Sequence, residues 1–281
     1  MFKILRKKIG IIGFGNMGST IANRISRKYC VFIFDKDKNK TQNLQGIQLA
    51  NNVLDLVSKV DVIILAVKPQ DFNVVLNEIK DHLENKLVIS IAAGIATVNI
   101  EKVLGNIKVI RAMPNLPAKI GKGMICFSRG KFTDQKDLNF SLRLFKNLGK
   151  TMSIDEKLMN DVTAAAGSGP AFFYEFIEKK GIHSKKIPKE VKKEFDKTIA
   201  DYLVSSNVGW TKSSAMLVVS TTSAGSLALL NKVEGHDPQK LIIQIASKGG
   251  TTEAGLERLR NGTLKEAMDA AIKKAEELSK S

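Results

Sequence analysis

The fold is decided between Ile9 and Gly18, where the chain reads Ile-Gly-Ile-Ile-Gly-Phe-Gly-Asn-Met-Gly. An apolar run ends in Gly13-Phe14-Gly15-Asn16-Met17-Gly18, and a helical pattern follows from Met17 to Ser26. Strand, tight turn and helix therefore succeed one another within a few residues. In such a turn the first glycine permits the sharp reversal and the second lets the backbone approach a pyrophosphate. The third allows close packing of helix on strand. The helix N-terminus adds unpaired N–H groups and a positive dipole end. Six such residues alone are a common pattern, but their place between a strand and a helix makes dinucleotide binding the reading. The candidate cofactor residues here are Gly13, Gly15, Asn16, Met17 and Gly18.

Working outward, the next apolar run ends at Asp35, at the spacing expected for an acid that binds a ribose 2′-hydroxyl. A carboxylate there repels a 2′-phosphate and favours NADH. Lys36, Lys38 and Lys40 follow at once, and Lys36 and Lys38 leave NADPH open. Asp35 and Lys36 join the cofactor candidates. The alternative reading of this segment is a solvated turn of mixed charge.

Further strands are expected at Val60–Val67, Leu87–Ile91 and Ile107–Arg111, after Ile9–Ile12 and Val31–Phe34, with helical patterns at Phe72–His82 and Val98–Leu104. Strands this apolar are covered on both faces, which implies a parallel sheet wrapped by helices. Gly123–Phe127 adds a possible strand and Asp134–Leu148 a capped helix. After about Ile154 the pattern is helix upon helix. The expected fold class is α/β: a Rossmann-type dinucleotide-binding domain with a mostly parallel sheet over residues 1–155, then an all-helical domain over residues 156–281. Ala66, Val67, Lys68 and Pro69 leave one strand at its carboxyl end, Ala93 and Gly94 a second, and Pro114 and Asn115 a third. Ligands of open α/β sheets bind at such ends, so these residues are further cofactor candidates.

Two motifs stand out in the helical half. Ala164-Ala165-Ala166-Gly167-Ser168-Gly169-Pro170 puts two glycines and a proline into a helical pattern at a cost in stability, which asks for a packing or functional reason. Gly249-Gly250-Thr251-Thr252 feeds a helix start whose amides make a cradle for a carboxylate, the plainer alternative being a threonine N-cap. Ser213 to Asn231 is long, uncharged and seeded with Ser and Thr, and reads as a buried helix.

Composition bounds the rest. The 281 residues hold 44 Lys+Arg against 28 Asp+Glu, a net charge of +16, with most of the excess before residue 156. This attracts polyanions, yet no aromatic-rich basic surface, zinc spacing or recognition helix points to specific nucleic-acid binding. Two cysteines exclude a disulfide framework. The three histidines show no metal-ligand spacing, so no metal site is expected. Neither a signal peptide nor a membrane span is read, and the expected location is the cytoplasm.

The ordered set GFGNMG, LAVKPQ, AAG, RAMPNLPA, GSGPA and SKGGTT, from residue 13 to residue 252, resembles the pyrroline-5-carboxylate reductase family. The resemblance implies reduction of the cyclic imine 1-pyrroline-5-carboxylate to L-proline by NAD(P)H, the last step of proline biosynthesis. It also implies a homodimer formed through the helical domain, with a larger homo-oligomer as its further assembly. By the same resemblance Gly249, Gly250, Thr251 and Thr252 bind the substrate, Thr252 meets its ring nitrogen, and Ser168 joins Thr252 as a catalytic candidate. Pro114, Asn115 and Lys68 line the nicotinamide side. Lys248 departs from the family by standing where proline precedes Gly-Gly, and Ala166 replaces a common serine. The stretch from Lys179 to Trp210 is longer than usual and rich in lysine, with acids spaced for a solvated helix. The competing reading is a hydroxy-acid dehydrogenase or other imine reductase on the same fold, with Lys68 or Lys248 as its acid/base.

Overall fold

The computed structural model describes residues 7–42, 44–182 and 186–280. The chain divides into two compact units, Met1–Ala112 with Phe127–Asn147, and Met113–Cys126 with Leu148–Ser281. The sequence suggested one cut after residue 155. The difference has a covalent cause: a strand carries the chain out of the first unit near Ala112, and the next strand returns it near Phe127.

The first unit alternates strand and helix: β1 (Lys8–Ile12), α1 (Asn16–Ile25), β2 (Cys30–Phe34), β3 (Gln48–Leu49), α2 (Val53–Lys59), β4 (Val62–Leu65), α3 (Pro69–Ile79), β5 (Leu87–Ser90) and α4 (Thr97–Leu104). β6 (Lys108–Met113) leaves this unit at its end, β7 (Gly123–Arg129) returns to it, α5 (Gln135–Phe145) lies within it, and β8 (Gly149–Ser153) belongs to the second unit. The strand order is β3-β2-β1-β4-β5-β6-β7-β8. β1 pairs in parallel with β2 on one side and β4 on the other, Ile11 lying level with Ile33 and Ile64. β4, β5 and β6 continue the parallel series. The order thus reverses at β1, so a crevice opens beyond its carboxyl end, where α1 begins. Gly130 N donates to Val109 O and Met124 N to the Asn115 side chain, so β7 runs back along β6.

Burial explains why these segments are strands. Ile9, Ile11, Ile33, Ile63, Ile64, Val88 and Ile110 are sealed from solvent, each contributing roughly 1.5–3 kcal/mol by leaving water. Leu56, Phe72, Leu76, Ile79 and Ile100 bring α2, α3 and α4 onto the same core as Ile12, Ile63, Leu65, Val88 and Val109. α2 and β8 are elements the sequence reading left unassigned.

The second unit contains α6 (Met159–Val162), a π-helical segment Thr163–Ser168, α7 (Gly169–Lys179), α8 (Lys189–Ser205), α9 (Lys212–Leu230), α10 (Pro238–Ile245), α11 (Thr251–Asn261) and α12 (Leu264–Lys280). Local chemistry sets their ends. Thr211 and Ser214 form a reciprocal cap for α9, Asp237 caps α10 ahead of Pro238, and Thr263 with Glu266 closes the capping box of α12. Lys179 Nζ donates to the Leu259 and Gly262 carbonyls at the end of α11, a favourable place for a cation. In α8 the lysine-rich segment forms the expected i,i+4 pairs, Lys192 with Asp196 and Lys197 with Asp201. α9 departs from expectation. One face packs through Val218, Val219, Thr222 and Ser226, but Met216 and Leu217 stand well exposed. By length and composition α9 is apolar enough to cross a membrane, though half of that stretch is buried in the protein.

Candidate active site

In the first unit the glycine turn has the anticipated geometry. Gly13 adopts φ +98°, and a Cβ there would lie 2.6 Å from Ala66 O. A Cβ on Gly18 would lie 2.1 Å from Gly13 O, so no larger residue fits under α1. Gly15 is different: a Cβ would meet nothing within 4 Å. Its backbone borders open space, the room a pyrophosphate needs. Gly15 caps α1 without any side-chain hydrogen bond, and the first turn holds no acid, so the helix end keeps its affinity for an anion.

A cleft of about 350 Å³ opens at this turn. Gly13, Gly15, Asp35, Lys36, Ala66, Val67 and Lys68 line it, joined by Lys40, Val53, Asp71, Val74 and Glu78. Val74 is 68% exposed and, with Val53 and Val75, gives the cleft an apolar wall suited to a flat base. Asn16, Met17, Gly18, Ala93 and Gly94 are not among the lining residues. Gly18 supports the turn from below, and Gly94 is buried with φ +76° after β5. Pro69 opens α3 as its first residue. Lys38 lies outside the lining, so the cations at the cleft are Lys36, Lys40 and Lys68.

Asp35 serves two roles at once. Its Oδ2 accepts from Phe14 N at 2.6 Å, tying the glycine turn to the end of β2, and its Oδ1 accepts from Asp37 N at 2.8 Å. Lys40 Nζ stands 3.7 Å away. The carboxylate is thus a brace for the turn as well as an acceptor facing the cleft. No single-sequence signal announces that brace, because the acid spacing is the same for either role.

In the second unit two distant motifs meet. Ser168 Oγ lies 2.9 Å from Thr252 Oγ1 and 3.1 Å from Thr251 Oγ1, and all three residues are buried. The local sequence explains the meeting. Ala164, Ala165 and Ala166 are fully buried in the π-helical segment, a widened turn frequent at functional sites. Its extra residue rotates Ser168 toward the start of α11. Gly255 then lets α11 lie against the Phe172 ring of α7. The anomaly of glycine and proline seen in the sequence is this rotation.

The carboxylate cradle is displaced from its expected place. Gly249 N is taken by the Glu253 carboxylate at 2.6 Å, and Gly250 N by Ser247 O at 2.9 Å. Gly249, at φ +71°, makes the turn and does not offer its amide. The open donors are the first amides of α11, from Thr251 to Glu253, which have no acceptor among the described residues. Glu253 thus clasps the turn that Lys248 precedes.

Asn115, expected on the nicotinamide side, is buried with both ends of its amide engaged. Oδ1 accepts from Met124 N at 3.0 Å and Nδ2 donates to Thr222 Oγ1 at 3.4 Å. It shapes the turn that holds Pro114. Lys68 and Lys248 are exposed side chains.

Comparison with known proteins decides the family. Residues 8–94 match a family model described as NADP oxidoreductase coenzyme F420-dependent, and residues 194–281 match one described as pyrroline-5-carboxylate reductase dimerisation. A pyrroline-5-carboxylate reductase of Aquifex aeolicus is 31% identical, the alignment covering 98% of each chain. The chain belongs to the pyrroline-5-carboxylate reductase family. The Arabidopsis thaliana reductase is 30% identical over 98% of this chain and 96% of its own. Among solved structures, the Plasmodium falciparum pyrroline carboxylate reductase with NADP bound superposes with a TM-score of 0.63 at 27% identity, covering 97% of this chain and 98% of that one. Membership makes this protein an NAD(P)-dependent oxidoreductase with a Rossmann-like domain and a helical reductase-type domain. In this chain the Ser168–Thr252 contact joins the Gly-Ser-Gly-Pro and Gly-Gly-Thr-Thr motifs.

Proposed function

We infer that the chain reduces 1-pyrroline-5-carboxylate to L-proline, with the substrate held at the start of α11 and a reduced nicotinamide dinucleotide held at the glycine turn of the first unit. The observation that carries the reading is the buried hydroxyl cluster, in which Ser168 and Thr252 come within 2.9 Å across 84 residues of sequence. A ring carboxylate accepts hydrogen bonds from the amides of Thr251, Thr252 and Glu253, which have no acceptor among the described residues. Thr252 Oγ1 hydrogen-bonds the imine N–H, and then the amine nitrogen of the product. Ser168 Oγ fixes the Thr252 rotamer, and the two neighbouring hydroxyls share their protons in either direction.

When bound, the dinucleotide supplies the hydride. The chain's own task is to bind and orient the ring and to exclude water, and such positioning is worth many orders of magnitude in rate. A protonated imine needs no separate acid before hydride transfer, which agrees with a buried site built of hydroxyls and amides. The hydroxy-acid alternative needs a placed acid/base, and its two candidates, Lys68 and Lys248, are both solvent-exposed.

Two finer features follow. NADH is the preferred cofactor, because the cations flanking Asp35 already face acids: Lys36 pairs with Asp71, and Lys40 with Asp35 and Asp37. The working unit is a homodimer that buries the outward face of α9. Met216 lines a groove of about 620 Å³ between α8 and α9, within the span matching the dimerisation domain. Cytoplasmic residence accords with two cysteines that are both free thiols. The test is Thr252→Val, which keeps the shape and removes the hydroxyl. The expected result is a loss of roughly tenfold to a hundredfold in kcat/KM for pyrroline-5-carboxylate. Unchanged kinetics would remove Thr252 from the reaction.

A further inference from the structure

The cofactor cleft holds one ion pair that links two of its walls. Lys36 leaves the end of β2, and Asp71 sits in the first turn of α3. Both line the cleft, and Lys36 Nζ lies 2.6 Å from Asp71 Oδ1. Lys36 is the best placed lysine to meet a charge added at the ribose, since it directly follows Asp35. Asp35, Asp71 and Glu78 are the acids of the cleft lining, and Lys40 and Lys68 are its other cations. Lys40 faces Asp35 and Asp37, each at 3.7 Å.

We propose that Asp71 is a specificity-determining residue for the cofactor, holding Lys36 across the cleft and withholding it from a ribose 2′-phosphate. The proposal deepens the dinucleotide reading of this cleft and rests on it. A 2′-hydroxyl needs only an acceptor, and Asp35 provides one without any movement of Lys36. A 2′-phosphate is a dianion that must draw Lys36 away from Asp71, while Asp71 itself repels it. Lys36 is largely exposed, and an exposed pair of this kind is worth at most about 1 kcal/mol. Lys36 is therefore released without strain once its partner is neutral. Discrimination resides in the pair, and Asp71 is the half of it outside the β2 turn where such residues are usually sought.

The experiment measures binding of NADPH and NADH to the whole protein, without substrate, by calorimetric titration at low ionic strength. The variants are Asp71→Asn, Lys36→Met and the double substitution. The expected result is NADPH affinity about fivefold to tenfold tighter in Asp71→Asn, with NADH affinity within about twofold of the parent. The gain is smaller when Asp71→Asn is made on the Lys36→Met background, where only relief of the Asp71 repulsion is left, and it shrinks as added salt screens the charges. Equal changes for both cofactors, no change for NADPH, or a gain undiminished without Lys36 would each overturn the proposal. A parent enzyme that prefers NADPH would overturn the NADH preference above and leave the Asp71 increment as the separate test.

Discussion

Replacing Gly255 by alanine drives a methyl group into Phe172. An ideal Cβ at this position lies 2.3 Å from Phe172 Cζ, 2.6 Å from Cε1 and 3.0 Å from Ala267 O. Comfortable contact begins near 3.4 Å, so ring or helix must yield by about 1 Å. The ring cannot yield into solvent, because Phe172 is fully buried. α11 must therefore lift from α7. Overpacking of this kind costs about 1–3 kcal/mol, and the better helix propensity of alanine returns at most about 1 kcal/mol. With that offset in full the net loss is about 0–2 kcal/mol, and the larger effect is on function. Lifting α11 by about 1 Å takes Thr252 Oγ1 out of hydrogen-bond range of Ser168 Oγ, from its present 2.9 Å. Misplacement on this scale costs on the order of a hundredfold in rate. Steady-state reduction of pyrroline-5-carboxylate and thermal unfolding together measure both terms. Adding Phe172→Leu to Gly255→Ala makes room for the methyl and should recover much of the lost kcat/KM, a coupling that only neighbours show. A Gly255→Ala enzyme with parental activity, or a double variant no better than the single, would refute the packing argument.

Two further outcomes follow from buried acids. Burial pushes the Asp161 carboxyl above its ordinary value of 3.8, against the lowering effect of the Trp210 indole that donates to it at 2.7 Å. A carboxyl whose folded pKa is raised adds stability that is full below pH 3.8 and lost as pH rises through the folded value. Asp161→Asn keeps an acceptor for the indole and should abolish this decline. Fluorescence-monitored unfolding through Trp210, the only tryptophan, checks it, and an unaltered pH profile would contradict it. Asp35→Asn turns one of two amide acceptors into a donor facing an N–H group, at a cost of about 1–3 kcal/mol. Melting temperature and the affinities for NADH and NADPH should all fall together, whereas a plain ribose acceptor would change NADH affinity alone.

What the sequence revealed, and what it hid, follows the range of the forces involved. β1, β2, β4 and β5 were legible because strands covered on both faces need unbroken apolar runs. The glycine turn was legible because three successive backbone constraints each demand a residue without a side chain. α2 escaped notice although Asn52 caps it through a bond to Asp55 N, since seven residues hold too few turns to show a period. β8 escaped because Lys150 and Ser153 are exposed and none of its residues is fully buried. The segment Ala164–Pro170 announced a local conflict, but a π-helical turn is visible only once Ser168 has somewhere to point. The contacts of Glu253 with Gly249 and Lys36 with Asp71 depend on rotamers of long side chains. Such choices are made by tertiary neighbours, and no spacing rule contains them.

The most direct test of the account is the dependence of NADH oxidation on substrate, measured with pyrroline-5-carboxylate and, in parallel, with small 2-hydroxy and 3-hydroxy acids in the reverse direction. Saturable turnover with the cyclic imine, yielding proline and no measurable turnover of the hydroxy acids, is the predicted result. Turnover of a hydroxy acid with none of the imine would contradict the reading of the α11 site.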